Sequence, residues 1–399
     1  MSLPTASVAV LLDLSGSTPR VLLGRRRERD GDPWSGNVAL PGGRPEECDR
    51  DALDTALREC REESGIALSR EQVRGALEPI VAGRVTGRHV RVRPFVAIVD
   101  GLFGGSDANF CAIRGDGEIE EWAAFELRDL DRPELRLVHA APDGSPQDAV
   151  RTSLGVLWGM TLRLLERIWR EPLLPGVETL WLDFDGTLYP ASHPLAEAVD
   201  RRITEWLVRE RRLEWSQADE LRHDLYVRHG NTLRGMMSEG DVDPMRYLDF
   251  VFDLPDSVFP PGDTDLDRVL DRLGIPVRVF TNARADYVRR GLSALGIGHR
   301  VGEIHDIQAF GWRSKPEPAL YDEVLAATGA PAHRIAFFED RAENLLPARS
   351  RGVRCVLVDE DLSSEWGWKE SVDFEAAPWE WKIRSARELG FLLLPRLGS

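Results

Sequence analysis

The sequence predicts two domains, a combination of α/β and α+β architecture, from three observations. At 399 residues the chain exceeds what one hydrophobic core usually covers. Pro172 and Pro175-Gly176 punctuate its middle and mark a boundary there. Beyond that boundary short apolar strands alternate with helical stretches, the pattern of a parallel α/β sheet. The expected division is a first domain over 1–173, a second over 177–365 with a helical insertion at about 192–265, and a tail over 366–399 with no assigned role.

In the first part, residues 7–13 and 20–24 read as strands around a Ser15-Gly16-Ser17-Thr18 turn. Asp49 to Ser64 has helical character, with Leu53, Ala56, Leu57 and Cys60 on one face. Strands are expected around Gly75–Val81 and His89–Val99, and a helix from Ala149 to Arg170. The second part opens on a buried strand, Thr179-Leu180-Trp181-Leu182. Residues 192–255 are rich in helix formers, and strands return at Val277–Thr281, Arg334–Phe338 and Cys355–Val358. Trp366, Trp368, Trp379 and Trp381 gather in the tail, where packing is the expected use of indoles.

Composition narrows the function. Net charge is −16 and acidity runs along the whole chain, so a nucleic-acid face is not expected. No apolar run approaches the ~20 residues of a membrane span, and Met1 to Val10 lacks a signal-peptide pattern, so a cytoplasmic protein without membrane partners is expected. Cys48, Cys60, Cys111 and Cys355 lack the spacing of a thiolate zinc site or disulfide framework. Arg25-Arg26-Arg27 reads as a solvated strand end in preference to a phosphate contact. Only three lysines, Lys315, Lys369 and Lys382, stand against 48 arginines, so a lysine that persists has a use for a compact point charge.

The first chemical signature lies on the helix after Gly42-Gly43. Glu59, Glu62 and Glu63 fall at i, i+3 and i+4 and point to one side. Three such carboxylates repel unless a hard divalent cation neutralises them, and Mg²⁺ also binds phosphates. The segment Leu40-Pro41-Gly42-Gly43, Asp49, Thr55-Ala56-Leu57-Arg58-Glu59, Glu62-Glu63 resembles the Nudix box. Asp49 stands for the box's first glutamate with one extra residue before Arg58, as in the branch similar to coenzyme A pyrophosphatases. Pro33-Trp34-Ser35-Gly36 and Leu157-Trp158-Gly159-Met160-Thr161 agree with that branch. The resemblance implies a mixed-sheet α/β/α sandwich. It also implies Mg²⁺ or Mn²⁺ held by Glu59, Glu62 and Glu63, attack of an activated water on a diphosphate, and substrate contacts at Gly43 and Arg58. Glu118, Glu120 and Glu121 are alternatives for a base. Coenzyme A and other nucleoside diphosphates linked to X remain open as substrates.

The second signature is Asp183-Phe184-Asp185-Gly186-Thr187 at the end of an apolar strand, where open α/β sheets bind ligands. Two aspartates so close suit a nucleophile and a general acid/base sharing one cation. Phe280-Thr281-Asn282 ends a second strand, Lys315 can neutralise a phosphoryl group, and Ile335 to Asp340 is a strand ending in acids. These pieces resemble the phosphatase branch of the haloacid dehalogenase superfamily. Leu188-Tyr189-Pro190, His229–Met236 and Asn344 are similar to its pyrimidine 5′-nucleotidase group. The resemblance implies a Rossmann-like parallel-sheet core under a helical cap. Asp183 is then the nucleophile, Asp185 the acid/base, and Thr281 and Lys315 partners of the phosphoryl group. Mg²⁺ (Mn²⁺ possible) sits on Asp183, the Asp185 carbonyl and Asp340, with Glu339 either ligand or support. Asn282 and Arg234 are the expected substrate contacts, and a nucleotide or another small phosphorylated metabolite is the expected partner.

Together the two signatures describe a bifunctional metal-dependent hydrolase: one half cleaves a diphosphate, and the other dephosphorylates a monophosphate through an aspartyl-phosphate. Two independent hydrolases, or one active half beside a silent ligand-binding module, are the alternatives.

Overall fold

The computed structural model describes residues 5–30, 34–83, 87, 89–103, 117–240, 242–360 and 376–395. They divide into two units at Pro175 and Gly176, and residues 378–393 belong to the second. Pro33, Cys111, Trp366, Trp368 and Lys369 lie outside the described residues.

The first unit runs β1 (Thr5–Asp13), β2 (Arg20–Arg26), β3 (Val38–Ala39), β4 (Gly42–Gly43), α1 (Ala52–Ser64), β5 (Val73–Ala76), β6 (Ile80–Ala82), β7 (Val90–Ile98), β8 (Ile119–Glu126), β9 (Arg136–Ala140), β10 (Pro146–Thr152), β11 (Gly155–Trp158) and α2 (Gly159–Arg170). Its main sheet has the order β5-β7-β1-β2-β3, with β4 on β1, β6 on β7 and β8 on β2. Only the β1–β7 pair is parallel, so the sheet is mixed. Leu53, Ala56 and Cys60 of α1 pack on Ala9, Leu11, Leu22 and Phe95, which turns the glutamate face of the helix away from the core.

Two boundaries differ from expectation. The helix starts at Ala52, because the Asp51 carboxylate accepts from the Asp54 N–H, and Asp49 is left outside. It ends at Gly65, whose φ of 73° suits glycine. The expected helix from Ala149 is instead β10 and β11 followed by α2. Ala149 pairs with Trp158 and Thr152 with Gly155 in a hairpin, where the chain turns back at Gly155 (φ 118°).

The second unit runs β12 (Thr179–Leu182), α3 (Pro194–Arg211), α4 (Trp215–His229), α5 (Thr232–Ser238), α6 (Pro244–Val251), α7 (Thr264–Leu273), β13 (Val277–Phe280), α8 (Ala285–Leu295), β14 (Val301–His305), α9 (Pro318–Thr328), β15 (Ile335–Glu339), α10 (Ala342–Ser350), β16 (Arg354–Val358), β17 (Trp381–Ile383) and α11 (Leu389–Leu393). The six strands are parallel in the order β14-β13-β12-β15-β16-β17. β12 lies between β13 and β15, so the strand order reverses across it and opens a crevice at its carboxyl end. Helices α3 to α6 form the insertion. Part of the tail is thereby accounted for: β17 extends the sheet, and Trp379 and Trp381 are buried.

Phe184 shows how tightly this core closes. Its ring meets Tyr189 and Tyr287 edge-on, and a Cβ on Gly291 would stand 2.8 Å from its Cε2. Gly291→Ala is expected to destabilise the protein by ~1–3 kcal/mol through overpacking. Gly302→Ala, whose added Cβ meets only Val277 O at 3.7 Å, is expected to stay within about 0.5 kcal/mol of wild type. Denaturant unfolding of both variants checks the pair.

Candidate active sites

In the first unit, strand β4 and helix α1 bring Gly42-Gly43 against the glutamates. The Gly42 N–H donates to Glu63 Oε2 at 2.9 Å. A Cβ on Gly43 would come within 2.5 Å of the Glu59 carboxyl carbon, and one on Gly42 within 2.7 Å of Val8 Cα. Only glycine lets the loop lie this close to the helix.

Arg58 secures the same loop. Its Nε and Nη2 donate to the two Asp49 oxygens at 3.0 and 3.1 Å, and Nη2 also reaches Arg44 O at 2.9 Å. Nη1 donates to Glu59 at 3.1 Å and Glu62 at 2.8 Å. All five guanidinium donors are thus engaged, and Arg58 braces the loop instead of offering a hand to substrate. Its pKa is raised, first by the Asp49 hydrogen bonds.

Burial pushes the Glu63 carboxyl up to about 8, with Glu118 and Glu59 adding repulsion and the Gly42 N–H offsetting part of it. Burial also raises Glu59, against the pull of Arg58. Of the three acids from the following segment, Glu118 repels both glutamates, while Glu120 and Glu121 are paired with Arg25. Arg26 pairs with Glu118 at 2.6 Å, so Arg25 and Arg26 answer strand acids.

In the second unit, Asp183 follows β12 and takes its backbone register from Phe338 O. Lys315 is 1% exposed, and its Nζ donates to Phe280 O at 2.8 Å and Glu339 at 2.5 Å and stands 3.1 Å from Asp183 Oδ1. Burial alone would lower its pKa, but Asp183 and Glu339 overcome that and raise it. Asn282 holds the lysine's backbone: Lys315 N–H donates to Asn282 Oδ1 at 2.7 Å, and Asn282 Nδ2 donates to Lys315 O at 3.2 Å. Its amide therefore serves Lys315, while the residue also lines the cavity where the sequence placed a substrate contact. Thr281 Oγ1 accepts from Ala283 N–H at 3.1 Å, which leaves its hydroxyl proton available.

Glu339 is fully buried, and both oxygens are used. Oε2 meets Lys315, and Oε1 accepts from Asn344 Nδ2 at 2.9 Å and Arg341 N–H at 3.3 Å. Asp340 stands beside Gly186, where an added Cβ would lie 2.5 Å from its Oδ2. Among the described residues, Asp183, Glu339 and Asp340 are the one set of three or more metal-ligating side chains with atoms all within 4.8 Å of each other. Burial and mutual repulsion raise the pKa of Asp183 and Asp340. An oxygen-only set under such repulsion fits a hard divalent cation. Glu59, Glu62 and Glu63 are not gathered this closely; Glu59 and Glu62 accept from Arg58, and Glu63 accepts from the Gly42 N–H.

Asp185 Oδ1 accepts from two tyrosine hydroxyls, those of Tyr189 and, at 2.8 Å, Tyr287. Burial raises its pKa against these hydrogen bonds. Tyr287 was not visible as a site residue in the sequence, since it lies 102 positions away on α8. A cavity of about 360 Å³ runs from Asp183, Asp185, Thr281 and Asp340 up to the insertion helices. Arg222 lines it, paired with Asp200 at 3.1 Å and Asp219 at 3.0 Å. Arg234 does not line it; its guanidinium lies 3.9 Å from Glu317 beside a different pocket.

Comparison with known proteins agrees with this division. The NUDIX domain family matches residues 2–143, and the haloacid dehalogenase-like hydrolase family matches residues 177–352. The human mitochondrial coenzyme A diphosphatase NUDT8 is 42% identical over 77 residues, 19% of this chain and 33% of that protein. A phosphoglycolate phosphatase of Pseudomonas fluorescens is 26% identical over 196 residues, 47% of this chain and 71% of that one. The crystal structure of CbbY from Rhodobacter sphaeroides in complex with phosphate is 20% identical, with a TM-score of 0.41 over 54% of this chain and 99% of that chain. The chain spans about a third of the length of the human relative. Both families generally depend on divalent metals and act on small phosphorylated substrates, and no described helix is long and apolar enough to cross a membrane. This protein accordingly joins a NUDIX domain to a haloacid dehalogenase-like hydrolase domain in one chain.

Proposed function

We propose that the chain is a bifunctional cytoplasmic hydrolase whose first domain cleaves a nucleoside diphosphate linked to X and whose second domain dephosphorylates a nucleoside or related monophosphate. The observation that carries the phosphatase reading is Asp183, held at the cavity floor beside Asp340 with the Lys315 ammonium 3.1 Å behind it. The diphosphatase reading draws on the packing of Gly42-Gly43 against Glu59 and Glu63, and on the coenzyme A diphosphatase among its relatives.

In the second domain an Asp183 oxygen forms a bond to phosphorus as the phosphorus–alkoxide bond breaks, which leaves an aspartyl-phosphate. Asp185, whose raised pKa favours its protonated form, gives its proton to the leaving alkoxide. It then takes a proton from the water that hydrolyses the acyl-phosphate. Thr281 donates its hydroxyl proton to a phosphoryl oxygen, and Lys315 offsets the negative charge of the attacking Asp183 carboxylate and of the phosphoryl group it meets. Asp183, Asp340 and the Asp185 carbonyl would hold Mg²⁺ or Mn²⁺, which would supply charge neutralisation to the phosphoryl group. Glu339, with both oxygens engaged, supports Lys315 from behind.

In the first domain Glu59 and Glu63, with Glu62 at the rim and Glu118 opposite, form the acidic surface for a divalent cation. Of Glu118, Glu120 and Glu121, Glu118 is the base we favour: it is paired with Arg26, which lines the cavity beside Gly42-Gly43, whereas Glu120 and Glu121 are paired with Arg25. Arg58 keeps the loop on the helix. The product monophosphate is a chemically suitable substrate for the second domain, and covalent linkage supports sequential use.

Three measurements test these assignments. With Mg²⁺ and a dinucleotide panel, Asp183→Asn is expected to abolish phosphate release by roughly a thousandfold or more while monophosphate accumulates. Glu63→Gln is expected to abolish diphosphate cleavage and spare hydrolysis of added monophosphate. An unchanged product distribution in Asp183→Asn means that the two activities are independent. Lys315→Met, which strands two buried carboxyl groups, is expected to cost ~3–5 kcal/mol in chemical unfolding and to lose phosphatase turnover. Lys315→Arg should fail to restore turnover, since a guanidinium overfills the slot between the Phe280 and Phe337 rings.

Glu63 predicts a pH effect. Its ordinary pKa of 4.5 rises to about 8 in the fold, so the native state holds the extra proton between those values. Metal-free wild type therefore loses stability as pH rises from 5 to 8. Glu63→Gln removes the Glu63 share of this slope, and its Tm relative to wild type is expected to rise between pH 5 and pH 8 in thermal melts.

A further inference from the structure

Two segments flanking the acidic helix, Trp34-Ser35-Gly36 and Leu157–Thr161, have no part in the chemistry above. They lie more than a hundred positions apart, and the fold brings both to one cavity of about 320 Å³ within the first unit. Its wall includes Trp34, Leu40, Trp158 and Met160, and it is largely apolar. Gly42, Gly43 and Arg44 line it too, so it adjoins the backbone that touches Glu59 and Glu63. Pockets of this size, apolar with a few placed polar groups, suit small organic ligands.

The polar groups are specific. The Trp158 indole N–H donates to Asn37 Oδ1 at 3.1 Å, which orients the Asn37 amide and leaves its Nδ2 as a donor at the cavity wall. Arg44 is exposed and has no carboxylate partner among the described residues. In a protein of net charge −16, a guanidinium without an acid partner beside a diphosphate-cleaving loop is suited to a phosphate.

We propose that this cavity binds the nucleobase of the diphosphate substrate, stacked on Trp34 with its edge toward Asn37, while Arg44 holds the adjoining phosphate. The proposal rests on the reading of the first domain as a diphosphate hydrolase, because the diphosphate must lie at Glu59 and Glu63 for its attached group to reach the cavity. An indole face favours a flat π-system over a flexible arm, since stacking a rigid ring orders few torsions. This places the specificity for the nucleoside in Trp34 and Asn37, outside the acidic helix.

Isothermal titration calorimetry of the full chain without divalent metal tests this with ADP, adenosine, ribose 5-phosphate and 4′-phosphopantetheine. Trp34→Ala is expected to weaken ADP and adenosine about tenfold or more and to leave ribose 5-phosphate unchanged, with Trp34→Phe staying near wild type. Arg44→Ala, an exposed change that does not threaten the fold, is expected to weaken ADP but not adenosine. ADP affinity insensitive to both Trp34→Ala and Arg44→Ala overturns the proposal. Trp34-dependent binding of 4′-phosphopantetheine in place of adenosine overturns the assignment of a nucleobase. Trp34-dependent ADP binding in a wild-type protein that cleaves no dinucleotide refutes the hydrolase reading and upholds the nucleobase site. Dinucleotide cleavage with a KM indifferent to Trp34→Ala does the reverse.

Discussion

Asp183, Asp185, Glu339 and Asp340 are brought together at the ends of two neighbouring parallel strands, and like charges buried together cost several kcal/mol per ion unless a counter-charge is buried with them. Lys315 is that counter-charge, with its ammonium between Asp183 and Glu339 and its third contact to the Phe280 carbonyl. Much of the surrounding structure exists to hold it. Asn282 fixes its peptide on one side, and Asn344 and the Arg341 N–H fix Glu339 on the other. A compact ammonium fits where a planar guanidinium does not, which is why lysine persists at this position in a chain that otherwise uses arginine.

The first domain meets the same constraint differently. Its acids run from exposed Glu62 to buried Glu63 along one helix, and there Arg58 distributes five donors over Asp49, Glu59, Glu62 and the Arg44 carbonyl. A forked guanidinium can join three segments at once, so one side chain both offsets charge and secures the glycine loop. Glu63 receives a backbone N–H instead of a cation and keeps a strongly raised pKa.

Each domain has a cavity beside its acids. In the second domain the insertion helices supply the far wall, and the Arg222–Asp200 pair neutralises the cation that faces inward. In the first, Trp34 and Trp158 supply it.

Much of the candidate acidic set was legible along the chain. The i, i+3, i+4 spacing of Glu59, Glu62 and Glu63, and Asp183 and Asp340 at the ends of apolar strands, follow from local periodicity, which is a property of sequence. What the sequence could not decide were relations between distant segments. Val150, Leu154 and Leu157 keep helical spacing with α2, yet the pairing of Ala149 with Trp158 makes a hairpin of them, because cross-strand hydrogen bonds outweigh a short apolar rhythm. Arg222 and Arg234 are alike in the sequence, and only the packing of the cap helices turns one toward the cavity. Tyr287 reaches Asp185, Asn282 pairs with Lys315, and Glu339, open in the sequence as ligand or support, has both oxygens engaged, because segments remote in sequence are neighbours in the fold. The sequence by itself determined which side chains carry charge and where each sits on its own element. Tertiary structure alone decided which partner each charge meets, since hydrogen bonds and burial depend on distance in space.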